Sequence, residues 1–318
     1  MQIVNIGIIG AGNIARTFAG AGDYVENAKI TAVASRSLEK AQNFANEHNI
    51  EKAYGSYQEI LDDKNIDAIY VATPHNTHYE VTKLALNNGK SVICEKPFVL
   101  KKEHCTELVE LAKSKGLTLM EAMWTRFLPC VTQAHKWIEE GKIGETRIIE
   151  ANFSFSAKVN PQGRLFNKSL AGGALFDVGV YTLEFAMDFA GAKMKDYKVF
   201  ARYGETGVDE NTSVNILFEN NVLASLNCGI RTAMKNDAYI YGTQGHILIE
   251  NFYNAKNVKL YKNGGELLEE VSFENDTNAK GFKYEIEHFA NLVINKESES
   301  PRIPFEQVLQ SCEIYENI

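Results

Sequence analysis

Along the first 120 or so positions, short unbroken apolar runs alternate with stretches whose apolar residues recur every three to four positions. Residues 3–9 read as a buried strand, and a helix begins near Asn13. Residues 29–35 (KITAVAS) form the next run, after which Ser37 opens a helix with Leu38, Ala41, Phe44 and Ala45 at helical spacing. Residues 66–72 (IDAIYVA) predict a third strand, followed by a helix over 77–88 that Gly89 is placed to end. A fourth strand at 91–94, a helix at 101–114 and a fifth strand at 117–121 continue the series. Strand–helix alternation of this kind implies a doubly wound parallel sheet.

The rhythm changes after Trp124. Residues 129–140 predict a helix, 145–157 alternate as a long strand, and a glycine-rich element leads into another helix that ends near Ala190. Between Tyr197 and Phe273 strand-like runs follow one another across turn signals such as Glu219-Asn220-Asn221 and Asn263-Gly264-Gly265, the pattern of an antiparallel sheet. An amphipathic helix over 284–295, with Ile286, Phe289 and Val293 on one side, closes the series. The expectation is two α/β domains with a boundary near residue 122, the first on a doubly wound parallel sheet and the second on a mainly antiparallel one.

Composition narrows the function. A 318-residue chain with 45% hydrophobic and 23% charged residues is globular, and its net charge of −8 argues against a general nucleic-acid partner. The apolar runs are strand-length and interrupted, so no membrane span or secretory leader is expected. Cys94, Cys105, Cys130, Cys228 and Cys312 are scattered and make no CxxC pair, which points to a reducing cytoplasm rather than a disulfide framework or a zinc site.

Directly after the first strand stands Gly10-Ala11-Gly12-Asn13-Ile14-Ala15, a G-x-G-x-x-A turn. Gly10 permits the tight turn, Gly12 lets a pyrophosphate approach the backbone, and Ala15 lets helix and strand pack closely. Asn13 and Ile14 then begin the helix whose free N–H groups face the anion. At the end of the second strand, where an NAD site places a carboxylate for the ribose, this chain has Ser35, Arg36 and Ser37, with Lys40 one turn on. A hydroxyl and two cations suit a 2′-phosphate, so NADP is favoured with NAD as the alternative; Arg36 and Lys40 as solvated surface charges is the plainer reading.

Two polar clusters fall at later strand ends, where ligands of such sheets gather. Thr73-Pro74-His75-Asn76-Thr77-His78 reads as a turn, with Asn76 or Thr77 capping a helix, that also lines the cofactor pocket. His75 and His78 lack a third ligand in sequence, so no metal is expected. Glu95-Lys96-Pro97 places a lysine between an apolar strand and a proline, where desolvation and a nicotinamide cation would lower its pKa for proton transfer. Further on, Asp177 and Tyr181 are four apart on a predicted helix preceded by Gly172 and Gly173; alone they read as a first-turn acid and a half-buried aromatic. Arg164 reads equally as a substrate or phosphate contact and as a surface ion pair.

Together these residues resemble the glucose-fructose oxidoreductase, inositol dehydrogenase and MocA family. The likeness rests on the Gly10–Ala15 turn, Thr73-Pro74 with His78, Glu95-Lys96-Pro97, and the segment from Gly172 to Tyr181, and it covers nearly the whole chain. Residues 121–129 (EAMWTRFLP) look most like the branch containing dimeric dihydrodiol dehydrogenase and NADP-dependent xylose dehydrogenase. The resemblance implies hydride transfer to or from a sugar, cyclic polyol or dihydrodiol. It makes residues 1–122 a dinucleotide-binding Rossmann domain and 123–318 a substrate-binding and oligomerisation domain on an open, mainly antiparallel sheet. It makes Lys96 a contact to substrate and nicotinamide ribose, Asp177 and Tyr181 the acid and proton-transfer partner, and Trp124 and Arg126 the edge of the nicotinamide pocket. Many relatives carry His where Tyr181 stands. A non-catalytic NADP sensor would keep the glycine turn but has no need of Lys96, Asp177 and Tyr181 together, and Arg36 disfavours a methyltransferase. An exposed apolar sheet face, with Leu217, Leu223, Leu226 and Ile230 as candidates that cannot all point the same way, predicts a homodimer or larger homo-oligomer.

Overall fold

The computed structural model describes residues 2–273 and 280–318, which form two compact units. One comprises the chain up to Trp124 together with a returning stretch that ends at Phe305; the other starts at Thr125 and takes back Glu306–Ile318.

In the first unit six strands make a parallel sheet: β1 (Val4–Ile9), β2 (Ala28–Ala34), β3 (Lys52–Tyr54), β4 (Ala68–Val71), β5 (Ser91–Glu95) and β6 (Leu119–Ala122). Their order is β3-β2-β1-β4-β5-β6, with every pairing parallel. The helices between them are α1 (Asn13–Gly22), α2 (Leu38–Glu47), α3 (Tyr57–Asp62), α4 (His78–Asn87) and α5 (Lys102–Lys115). The strand order reverses between β1 and β4, and that crevice is where such sheets bind ligands. The sheet is buried on both faces: Ile6, Ile8, Ile9, Ile69, Tyr70, Val71, Val92 and Ile93 are all shut off from solvent.

Two elements of this unit carry no apolar pattern in the sequence. Edge strand β3 is only three residues long, and α3 only six, too short for a period to show. A third difference concerns α8 (Phe282–Asn295), expected in the second domain. It packs on α1, β1 and β2 through the fully buried Ile286 and Phe289, so the first unit is not a single run cut near residue 122. Asn27 ties it down, donating to the Glu287 carbonyl and the Asn291 side chain at 2.9 Å each.

The second unit holds α6 (Pro129–Glu139), β7 (Thr146–Ser154), α7 (Val180–Ala190), seven further strands and, from Glu306 on, α9 (Phe305–Tyr315). The strands are β8 (Met194–Tyr203), β9 (Asp209–Phe218), β10 (Leu223–Gly229), β11 (Ala238–Gly242), β12 (Gly245–Ile249), β13 (Asn257–Lys262) and β14 (Leu267–Ser272). They form one eight-stranded sheet, β14-β13-β12-β11-β7-β10-β9-β8, antiparallel except where β7 meets β10. Helices α6 and α7 pack on its inner side. The stretch Lys168–Ala190 is long and apolar enough to cross a membrane by composition, yet 78% of that window is buried inside the unit, as a core helix requires.

Strand pleating divides the four candidate apolar residues between the two faces of the sheet. Leu226 and Ile230 point inward and are buried, whereas Leu217 and Leu223 pair across β9 and β10 on the outer side. That outer side also carries Ile148 and the rings of Tyr239, Tyr241, His246 and Tyr261, which run as a ladder over β11, β12 and β13.

Candidate functional site

Gly10 sits at the mouth of the β1/β4 crevice with φ of +108°, a backbone state that favours glycine, and a Cβ there would meet the Ala72 carbonyl oxygen at 2.5 Å. A Cβ on Gly12 would meet nothing within 4 Å, so the space before α1 is open. No side chain caps α1 and its first turn holds no acid, so its leading N–H groups and positive end are offered outward from Gly12, Asn13 and Ile14. These features fit a pyrophosphate.

At the end of β2, Ser37 caps α2 by accepting the Lys40 N–H at 3.3 Å, while the Ser35 hydroxyl accepts the Ser37 N–H at 3.4 Å. Arg36 and Lys40 remain exposed on the same turn. The local hydrogen bonds thus fix the backbone and leave both cations facing solvent.

The turn after β4 is organised differently from the expectation. Neither Asn76 nor Thr77 caps α4. Thr77 instead donates to the Pro74 carbonyl at 2.7 Å and reaches the Thr73 hydroxyl at 2.9 Å, while Pro74 and Asn76 stay exposed at the turn. His78 is wholly buried, with Nδ1 2.9 Å from the Pro97 carbonyl and Nε2 2.9 Å from the Thr73 carbonyl. Burial holds its pKa below the ordinary histidine value. Both ring nitrogens are thus committed to backbone, and His78 staples the β4 and β5 strand ends together rather than lining the pocket. Among the described residues no cluster of three or more His, Cys, Asp or Glu side chains is arranged for a metal.

Lys96 follows β5 and is half-buried, and its peptide bond to Pro97 is cis. Glu95 points the other way, into the core. Its oxygens take the Tyr70 hydroxyl and, at 3.3 Å, the Lys96 N–H, so Glu95 supports the lysine's backbone from behind. Tyr70 in turn stacks on Phe18 of α1, with ring centroids 3.6 Å apart. Glu285 of α8 lies in the same interior, fully buried, with neither carboxyl oxygen hydrogen-bonded. Its pKa is raised well above the usual carboxylate range, first by burial and then by the charge of Glu95, so it is held as the neutral acid.

In the second unit, Asp177 occupies a π-helical turn, Leu175–Gly179, that opens into α7. Asp177 is buried and ion-paired to the half-exposed Arg164. Gly172 and Gly173 before it are forced by crowding: a Cβ on Gly172 would lie 2.6 Å from the Arg164 carbonyl oxygen, and one on Gly173 only 2.0 Å from Asp209 Oδ1. Tyr181 is half-exposed, its ring set edge-on to Phe153 at 5.3 Å. Wide single turns of this kind recur at functional sites.

Residues 4–123 match the profile of the oxidoreductase family with an NAD-binding Rossmann fold, GFO/IDH/MocA, and residues 131–248 match the GFO/IDH/MocA C-terminal domain. The chain belongs to the GFO/IDH/MocA family. Among its curated relatives, a trans-1,2-dihydrobenzene-1,2-diol dehydrogenase from Mus musculus is 34% identical over 98% of this chain and 94% of its own. One of the same name from Xenopus laevis is 37% identical over 86% and 83%. A solved structure of a 3-ketoreductase from Actinomadura kijaniata, in complex with NADP and TDP-benzene, superposes with a TM-score of 0.87 at 26% identity, covering 100% of this chain and 97% of that one.

Of the residues expected to carry the chemistry, Lys96 lies in the first unit and Asp177 and Tyr181 lie in the second. Two residues expected at the nicotinamide pocket have other employment. Trp124 is buried and stacked on Phe282 of α8 at 4.8 Å, a core contact of the first unit. Arg126 is 2% exposed and donates to the Glu184 carboxylate at 2.7 Å and to Gln307 at 2.6 Å, with Asp188 at 3.8 Å. A buried guanidinium ringed in this way is a structural charge of the second unit. Tyr70, Asp209 and Glu285 are the residues that sequence reasoning missed. Each acts on a motif from a distant stretch of chain and leaves no local signal beyond the Gly172-Gly173 pair.

Proposed function

We propose that this GFO/IDH/MocA oxidoreductase uses NADP to transfer a hydride to or from the CH–OH carbon of a dihydrodiol, a sugar or a cyclic polyol. One observation carries the reading. A strand-end lysine, Lys96, stands in the same parallel sheet as an uncapped, glycine-lined helix N-terminus, in a chain 34–37% identical to dihydrodiol dehydrogenases over most of its length. Ser35, Arg36 and Lys40 recommend NADP over NAD, since hydroxyl and cation partners suit the extra phosphate. The relatives' names recommend a vicinal diol or a ketone substrate.

When bound, the nicotinamide supplies the hydride chemistry. The chain's own share is positioning and proton handling. Lys96 or Tyr181 takes the hydroxyl proton as the carbonyl forms, and Asp177, held in orientation by Arg164, aligns the hydroxyl. Reduction runs the same path in reverse. The outer face of the eight-stranded sheet, with its aromatic ladder, is the surface through which we place a homodimer. Five buried cysteine thiols, none in a disulfide, fit a reducing compartment, and the cytoplasm is the location we assign.

A panel of trans-dihydrodiols, aldoses and inositols, followed by the absorbance of reduced nicotinamide with NADP and with NAD, tests the proposal. Turnover on at least one class with NADP preferred is the expected result. Lys96→Met is expected to retain NADPH binding and to lose turnover by about a hundredfold or more. Full turnover in Lys96→Met overturns the assignment.

A further inference from the structure

Asp209, the first residue of β9, lies in none of the motifs yet holds the start of the segment that carries Asp177 and Tyr181. It is 4% exposed. Its Oδ2 accepts the Leu175 N–H at 2.8 Å and the Thr212 hydroxyl at 2.7 Å, and the Ala174 N–H is also directed to the carboxylate. Oδ1 lies against Gly173, whose φ of +132° leaves the approach to glycine alone. No side chain of the turn caps it. The leading N–H groups of a helix need partners, and here a buried carboxylate from a neighbouring strand supplies them.

We propose that Asp209 is a positioning residue that sets the aim of Asp177 and Tyr181 by clamping the turn from which both project. The inference rests on the reading of those two as the proton-handling pair. The first backbone bond into the turn, Asp177 N–H to Gly173 carbonyl at 3.2 Å, starts from the residue pressed against Asp209, while Arg164 holds the Asp177 side chain. Burial outweighs these bonds and raises the Asp209 carboxyl to about 6, so below about 6 the neutral acid is held in the turn more readily than the charged one and the turn opens to water less easily. The groups that face it are the Thr212 hydroxyl on its own strand, the Cys228 thiol from β10, and the Ala174 and Leu175 N–H groups of the turn. Glu210, next along β9, is turned to Arg231.

The test is amide hydrogen exchange of residues 174–181 in the full chain, for the native protein, Asp209→Asn and Asp209→Ala, from about pH 5 to about pH 8. Turnover, KM and NADPH affinity are measured in parallel. Asp209→Ala is expected to lose about tenfold or more in local protection and in kcat, with NADPH affinity unchanged and Asp209→Asn in between. Native protection, corrected for the intrinsic exchange rate, should be lost as pH rises through about 6, and that pH dependence should vanish in Asp209→Asn. Native-like protection and kcat in Asp209→Ala overturn the proposal, as does a lowered Tm with no local change. If the alanine variant does not fold, Asp209→Asn decides: a pH dependence that persists there is equally fatal. Exchange needs no substrate, so an inert substrate panel counts against the oxidoreductase reading and leaves this one standing on its own measurement.

Discussion

Removing the Arg126 guanidinium strands Glu184, 1% exposed, and Asp188 beside it without their cation. A buried pair broken on one side costs about 3–5 kcal/mol, so Arg126→Met should lower unfolding free energy by that amount in chemical denaturation. NADPH affinity of the folded fraction should be unchanged, which separates a structural charge from a pocket contact. Arg36 is the opposite case, an exposed cation with its backbone fixed by Ser35 and Ser37. Arg36→Glu sets a like charge against a 2′-phosphate and should weaken NADPH binding by about a hundredfold while sparing NADH, as titration calorimetry would read. At this scale the sequence is legible where a residue serves its own turn: Gly10 takes the left-handed backbone state that its tight turn requires, and Ser37 caps the helix that it opens. Arg126 was misread because its partners lie some 60 and 180 positions away, and a buried arginine has the same letter as an exposed one.

Helix α8 shows the same limit one level up. Its amphipathic period is plain, with Ile286, Phe289 and Val293 on one side, but periodicity names a buried face without naming what covers it. The structure covers it with the first unit's sheet and brings Glu285 beside Tyr70 and Glu95. The neutral Glu285 acid has a pH signature. Its folded pKa is raised above the unfolded value, so its favourable contribution is complete below about pH 4.3 and is lost as pH rises toward the folded pKa. Native protein should therefore lose stability relative to Glu285→Met above about pH 4.3, with a slope approaching 1.4 kcal/mol per pH unit, as urea denaturation across a pH series measures. Parallel slopes for the two proteins would contradict a buried neutral acid. Strand β3 and helix α3 escaped notice for a simpler reason, since neither is long enough to display a period.

For the whole molecule, two α/β units, a doubly wound parallel sheet and a mainly antiparallel one were readable from strand–helix rhythm alone. The strand order and the parallel β7–β10 pairing were not, because they depend on contacts between distant segments. Sheet pleating decided which apolar residues face outward, and put Tyr239, Tyr241 and Tyr261 there in place of Leu226 and Ile230. Sedimentation at low micromolar concentration should give a dimer, and Tyr241→Arg, which plants a charge in the aromatic ladder, should shift it toward monomer without lowering Tm. A concentration-independent monomer would contradict the assigned surface. The returning segment has a consequence for biogenesis. A nascent chain released only as far as Trp124 has every strand of its nucleotide sheet but lacks Phe282, Ile286 and Phe289, so an apolar flank stays bare until the ribosome has delivered the entire second sheet. An isolated N-terminal fragment should accordingly be sticky and chaperone-dependent, and the two halves of the polypeptide become stable together rather than in turn.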